Sequence, residues 1–149
     1  MLIDAIVEIP KYSKYKYRYK NGAFEKARRL KGYAPENYGC IINTVAPDGS
    51  PMDVIILTNK PLKQGHVKVK IIGALMREDK DDKIVAVLAY SKLNTISDIP
   101  AKRLEAMIEK WTGHTGQSPL RRVVGPKEAV KLVKKLEIKS KLVISRKLS

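Results

Sequence analysis

One cysteine, Cys40, is all the sequence holds, which excludes an internal disulfide framework and a cysteine-rich zinc site. No apolar run approaches the ~20 residues of a membrane span, so no membrane association is expected. The two histidines, His66 and His114, lie far apart, and neither has a second ligand at metal spacing. The opening residues MLIDAIVEIP carry an acid at Asp4 and no basic stretch, unlike a signal peptide, and the expected location is the cytoplasm. Repeats, low-complexity tracts and linkers are also missing, so residues 1–149 read as one domain with a basic C-terminal extension over 138–149. Acidic residues are scarce beside basic ones: 15 Asp and Glu against 30 Lys and Arg, a formal charge of +15.

That charge is unevenly placed. Residues 10–31 hold nine Lys and Arg and one acid, Glu25, while residues 121–149 hold ten cations and two acids, Glu128 and Glu137. The middle of the chain is close to neutral and contains an acidic knot, Glu78-Asp79-Lys80-Asp81-Asp82. Positive charge concentrated at two ends bears on anionic partners and association rates rather than on fold.

The apolar pattern is mostly of period two. Leu2–Ile9 reads as a strand. Tyr15, Tyr17 and Tyr19 then alternate with Lys14, Lys16, Arg18 and Lys20, which places tyrosines on one face and cations on the other. Asn21-Gly22 favours a tight turn, so a hairpin is expected to return through Phe24–Leu30. Further strands are expected at Tyr38–Val45, Met52–Thr58, His66–Met76 and Lys83–Tyr90. Helical spacing appears late, at Leu104, Met107, Ile108 and Trp111 after Pro100, and at Ala129, Val130, Val133 and Leu136 after Pro126. Leu142–Ile144 could form a short final strand. Short strands followed by helices indicate a mainly β, α+β fold, a barrel with two helices packed on it.

The segment richest in chemistry is Asp48-Gly49-Ser50-Pro51-Met52-Asp53 followed by Val54-Ile55-Ile56-Leu57. It sets two carboxylates on a turn and at the head of a buried strand. Such a turn could aim both at one hard cation such as Mg²⁺, or serve only as a hairpin connection. In the same order stand Ile6-Val7-Glu8-Ile9-Pro10, Lys14-Tyr15, Asn37-Tyr38-Gly39 and Asp81-x-Lys83-Ile84-Val85-Ala86-Val87. Together these motifs, across residues 3–136, resemble the soluble family I inorganic pyrophosphatases.

The resemblance implies the pyrophosphatase fold, an OB-like five-stranded β-barrel with two packed helices. It also implies Mg²⁺-dependent hydrolysis of pyrophosphate to two phosphates, and a tendency to homo-oligomerise. By resemblance, Asp48, Asp53 and Asp81 match metal-binding aspartates, and Glu78 or Asp79 a fourth. Glu8 matches a pocket glutamate. Lys14, Arg28 and Lys83 match the cations that hold substrate, and Tyr38 matches a pocket tyrosine. Cations and Mg²⁺ neutralising an anionic substrate while water attacks in line is coherent phosphoryl-transfer chemistry.

Several positions depart from that pattern. Ser50 stands where the family places an Asp that contacts the attacking water, and a hydroxyl is no base near neutral pH. Lys16 stands where an acid is expected. Thr112-Gly113 replaces a Tyr-Lys pair, and Ala34 replaces a tyrosine. Losing a positioned base typically costs ~10²–10⁴-fold in rate. Two readings follow: a slow pyrophosphatase, or a pyrophosphatase-like protein without turnover. The second binds RNA or a ribonucleoprotein such as the ribosome through Arg121, Arg122, Lys134, Lys135, Lys139 and Lys141.

Overall fold

The structure, a computed structural model, describes residues 1–112 and 119–138. Eight strands and two helices run in chain order: β1 (Leu2–Ile9), β2 (Tyr15–Lys20), β3 (Ala23–Arg29), β4 (Asn37–Ile41), β5 (Asp53–Leu57), β6 (Gly65–Arg77), β7 (Lys83–Leu88), α1 (Ala101–Thr112), β8 (Leu120–Val124) and α2 (Pro126–Leu136). A single 3-10 turn at Ile96–Asp98 precedes α1 and is closed by a capping box between Thr95 and Asp98.

The main sheet runs β1-β4-β5-β7-β6-β8, and a further pairing of β1 with β6 closes the first five of these into a barrel. All these pairs are antiparallel except β5 with β7. Strand β6 has 13 residues and serves three partners: β1 through Gly65–Lys70, β7 through Val69–Leu75 and β8 through Ala74–Arg77. The hairpin β2–β3 forms a separate two-stranded sheet over the barrel, joined through the Asn21-Gly22 turn at positive φ.

Alternation sorts the core into two bodies. Ile3, Ala5 and Val7 of β1, Ile41 of β4, Val54 and Ile56 of β5, Val69 and Ile71 of β6, and Ile84 and Ala86 of β7 fill the barrel interior, with Ala129 and Val133 of α2 against them. The opposite face of the same strands, Ile55, Leu57, Ile72, Val85 and Val87, packs on Met107 and Trp111 of α1. Strands β5 and β7 are therefore buried on both faces, which is why they read as unbroken apolar runs. Gly39 of β4 lies tight against β1: a Cβ there would collide with the carbonyl oxygen of Ile6.

Three expectations need correction. Strand β4 stops at Ile41, because the chain turns through Asn43 at φ 61. The tyrosine and cation faces of β2 are not cleanly segregated: Tyr15, Lys16 and Tyr17 are all half-buried, and Arg18, Tyr19 and Lys20 are all exposed. Strand β8 lies in a stretch read only as basic, its alternation hidden because Leu120 and Val124 are inward-turned while Arg121, Arg122 and Val123 are exposed. The expected strand at Leu142–Ile144 lies outside the described residues.

Candidate functional site

The outward face of β5 and β7 is apolar where α1 covers it and charged beyond the helix. Parallel pairing sets Asp53 beside Lys83, and β4 places Cys40 against Asp53, with Tyr38 two residues further on. The Lys83 Nζ donates to Asp53 Oδ2 at 2.5 Å and to Asp81 Oδ2 at 3.1 Å. Lys83 is 4% exposed, so its ammonium depends on these two carboxylates for compensation. Tyr38 stacks on Trp111 with ring centroids 5.3 Å apart. Its hydroxyl donates to Asp53, and burial pushes the phenol well above its ordinary pKa, helped by the Asp53 charge. Burial also raises the Asp53 carboxyl, against the pull of the Lys83 ammonium.

The acidic knot folds around Arg77, the last residue of β6. The Arg77 guanidinium, 7% exposed, meets Asp79 at 2.8 Å and Asp81 at 3.4 Å. Its backbone N–H donates to Asp82 Oδ1, and Asp79 Oδ1 accepts the N–H of Asp81. The knot is thus a turn clasped on a buried cation, with Lys80 at φ 64 completing the reversal.

These groups form one wall of an open cleft of about 1160 Å³, bounded by the β2–β3 hairpin, the 48–53 turn and the end of α1. Its charged lining comprises seven cations (Lys16, Arg18, Arg28, Lys31, Arg77, Lys83, Lys110) and five acids (Glu8, Asp48, Asp53, Asp81, Glu109). On the hairpin side Lys16 pairs across the strands with Arg28. Burial lowers the Lys16 pKa, and the positive charges of Arg18 and Arg28 lower it further. Glu8 accepts the N–H of Tyr19 at 2.8 Å; burial raises its pKa, with that hydrogen bond opposing. Asp48 accepts the N–H of Ser50 within the turn, where Gly49 sits at φ 85.

A second polar cluster holds α1 in place. Glu36, 2% exposed, takes Arg103 through two hydrogen bonds of 2.6 and 2.8 Å and lies 3.6 Å from Lys11. The Lys11 Nζ and Arg103 Nη2 both donate to the carbonyl of Thr58. This anchors the start of the helix whose far end carries Trp111 against Tyr38.

Of the residues singled out from the sequence, Glu8, Arg28, Tyr38, Asp48, Ser50, Asp53, Asp81 and Lys83 all border the cleft. Two do not. Lys14 is exposed outside it, at the base of the hairpin where its carbonyl accepts the N–H of Leu30. Glu78 is exposed too, its N–H on the carbonyl of Pro119, and its neighbour Asp79 is turned onto Arg77. Lys16 and Arg18, further along the same strand, line the hairpin wall instead. Arg77 went unrecognised, although a basic residue closing a long apolar strand directly before an acidic knot is a readable signal. Arg121, Arg122, Lys134 and Lys135 are exposed, with Arg122 2.9 Å from Glu128; Lys139 and Lys141 lie outside the described residues.

The donor set does not fit a ring of several Mg²⁺ ions. Among the described residues no three carboxylate, histidine or cysteine side chains converge as a metal cage would require. The carboxylates of Asp53 and Asp81 are already bound by Lys83 and Arg77, and position 50 contributes a hydroxyl. Asp48 remains as an oxygen donor on the cleft lining.

Comparison with known proteins gives one answer. The inorganic pyrophosphatase family model matches residues 5–138. The inorganic pyrophosphatase of Nanoarchaeum equitans (strain Kin4-M) is 40% identical over 111 residues, covering 66% of this chain and 69% of that protein. That of Mycoplasma genitalium is 40% identical over 119 residues, covering 72% of this chain and 65% of that protein. That of Thermus thermophilus is 33% identical over 140 residues, covering 77% and 80%. The crystal structure of an inorganic pyrophosphatase from Neisseria gonorrhoeae superposes with a TM-score of 0.83 at 28% identity, covering 91% of this chain and 88% of that one.

Proposed function

This chain belongs to the inorganic pyrophosphatase family, and we propose that its cleft binds inorganic pyrophosphate and hydrolyses it slowly to two phosphates. The observation that carries this reading is the Asp53–Lys83–Asp81 cluster beside Tyr38, facing Lys16, Arg18 and Arg28 across one cleft. An excess of cations over carboxylates suits a compact, multiply charged anion, and fixed charges of this kind stabilise the further charge that develops as the bridging P–O bond breaks.

Slowness follows from position 50. The Ser50 hydroxyl can orient a water molecule but cannot take its proton near neutral pH, and a missing base typically removes ~10²–10⁴-fold in rate. Mg²⁺ enters this reading as the ion that accompanies pyrophosphate, and neutralisation of phosphate charge would be its contribution. The test is phosphate release from pyrophosphate with excess Mg²⁺, against an EDTA control. Metal-stimulated release above the control is expected; none with either supply of metal would remove the hydrolytic part of the reading.

A second reading, RNA binding by the basic ends, is favoured by one feature. The outward side of α2 carries Lys127, Lys131, Lys134 and Lys135, all exposed, and Arg121 and Arg122 are exposed on β8. Binding through such a face is dominated by phosphate contacts and falls steeply with salt. Replacing Lys134 and Lys135 with Gln should weaken binding to a single-stranded RNA and flatten its salt slope; unchanged affinity would exclude this face.

A further inference from the structure

We propose that side-chain cations take over both tasks of a metal ring in this cleft, so that it holds an inorganic diphosphate without any divalent ion. The proposal rests on the reading of the cleft as a pyrophosphate site and adds the manner in which the anion is held.

On the β5–β7 wall the carboxylates that would face metal ions face Lys83 and Arg77. Lys83 lies 2.5 Å from Asp53 and 3.1 Å from Asp81, and Arg77 lies 3.4 Å from Asp81. Both cations are buried, at 4% and 7% exposure. A divalent ion binding here would have to compete with this ammonium and guanidinium for the same carboxylates, and would leave a nearly buried cation without its partner. Competition therefore disfavours the metal at the very carboxylates a ring would need.

On the hairpin wall the imbalance is the reverse. Lys16 and Arg28 are cross-strand partners, and like charges set opposite one another are unfavourable. Burial and the neighbouring Arg18 and Arg28 lower the Lys16 pKa, with the Asp53 charge opposing them only in part, while Arg18 stands across the strands from Glu25. Glu8 also turns its charge toward Lys16 and Arg18, and its carboxylate accepts the N–H of Tyr19. A diphosphate placed against Lys16, Arg18 and Arg28 relieves that repulsion directly and does not need an ion to mask its charge first. Arginine suits the role, since its fork matches phosphate oxygens in bidentate fashion.

The test is calorimetric titration of the full chain with inorganic pyrophosphate, once in EDTA and once in excess Mg²⁺, and with Mg²⁺ alone. Pyrophosphate affinity in EDTA should lie within about tenfold of that in Mg²⁺, and Mg²⁺ alone should show no more than one site per chain. A larger loss in EDTA, or several Mg²⁺ sites in the absence of pyrophosphate, overturns the proposal and leaves the pyrophosphate reading standing. Absence of pyrophosphate binding under both conditions overturns the two together. The variant K16Q/R18S alters side chains on the hairpin surface and should weaken binding in EDTA by about a hundredfold, with its thermal unfolding unchanged; undiminished affinity in a folded variant also overturns the proposal.

Discussion

Two walls face each other across the cleft, and they manage positive charge in opposite ways. On the β5–β7 wall, Lys83 and Arg77 are buried and each touches carboxylates. On the hairpin wall, Lys16, Arg18 and Arg28 crowd one another. The first arrangement needs the fold to hold it and gives stability in return. The second is indifferent or mildly adverse to stability and acquires its value only with an anion present. A cluster of cations is thus not one kind of object: burial and counter-charge decide whether it serves structure or binding.

Adding a carboxylate to the cleft while keeping every cation should have the largest effect. S50D restores a base at the turn and should raise phosphate release at least about tenfold, short of the ~10²–10⁴ of a fully placed base; a rate equal to the parent's would show that the cleft no longer positions water. On the buried wall, Lys83→Met strands Asp53 and Asp81. It should lower the free energy of unfolding in urea by about 2–3 kcal/mol, less than the ~3–5 of a fully buried pair, because the Asp53 side chain keeps 28% exposure. Arg18→Ser on the other wall should change it by no more than about 0.5 kcal/mol. Equal losses at the two sites would erase the distinction between the walls.

The pH dependence sharpens the same contrast. Because the folded Lys16 pKa lies below its ordinary 10.5, its ammonium is lost at lower pH than that of a free lysine. Pyrophosphate affinity should then decline early on the alkaline side. The stability contribution runs the other way: the folded state binds fewer protons than the unfolded one in that window, so the Lys16 penalty is relieved as pH rises. Lys16→Arg should abolish the early decline, as followed by titration from neutral to alkaline pH. The smallest effect concerns Cys40, whose thiol burial pushes up to about 12, with Glu8 and Asp53 adding to the rise. Iodoacetamide should modify it far more slowly at neutral pH than a free thiol, with and without pyrophosphate.

Much of the fold was legible because its strongest signals are local. The apolar runs of β5 and β7, the Asp48-Gly49 turn and the proline-headed α2 announce themselves within a few residues. The cleft was legible where a side chain's direction follows from strict alternation, as for Asp53 and Lys83. It was not legible where position along a strand decides: Lys14, Lys16 and Arg18 share one alternation, and only the latter two reach the cleft. The places of Arg77 and Glu78 depend on how the acidic turn wraps on a buried guanidinium, which no spacing rule conveys.

The single parallel pairing has a kinetic side. Asp53 meets Lys83 only after β6 has been laid down between them in sequence, and the barrel closes only when β1, at the start of the chain, finds β6 through pairs such as Leu2 with Lys70. Contacts this far apart must pay loop-closure entropy before they stabilise anything, and chains dominated by them fold on the slower side of the range. Trp111, stacked on Tyr38 above the Asp53–Lys83 pair, is the one tryptophan and reports on this closure. In stopped-flow refolding its fluorescence should change in the last resolved phase, after most backbone ellipticity has returned; a tryptophan signal complete before that phase would contradict the order. On that order the two walls of the cleft come to face each other only as the barrel closes.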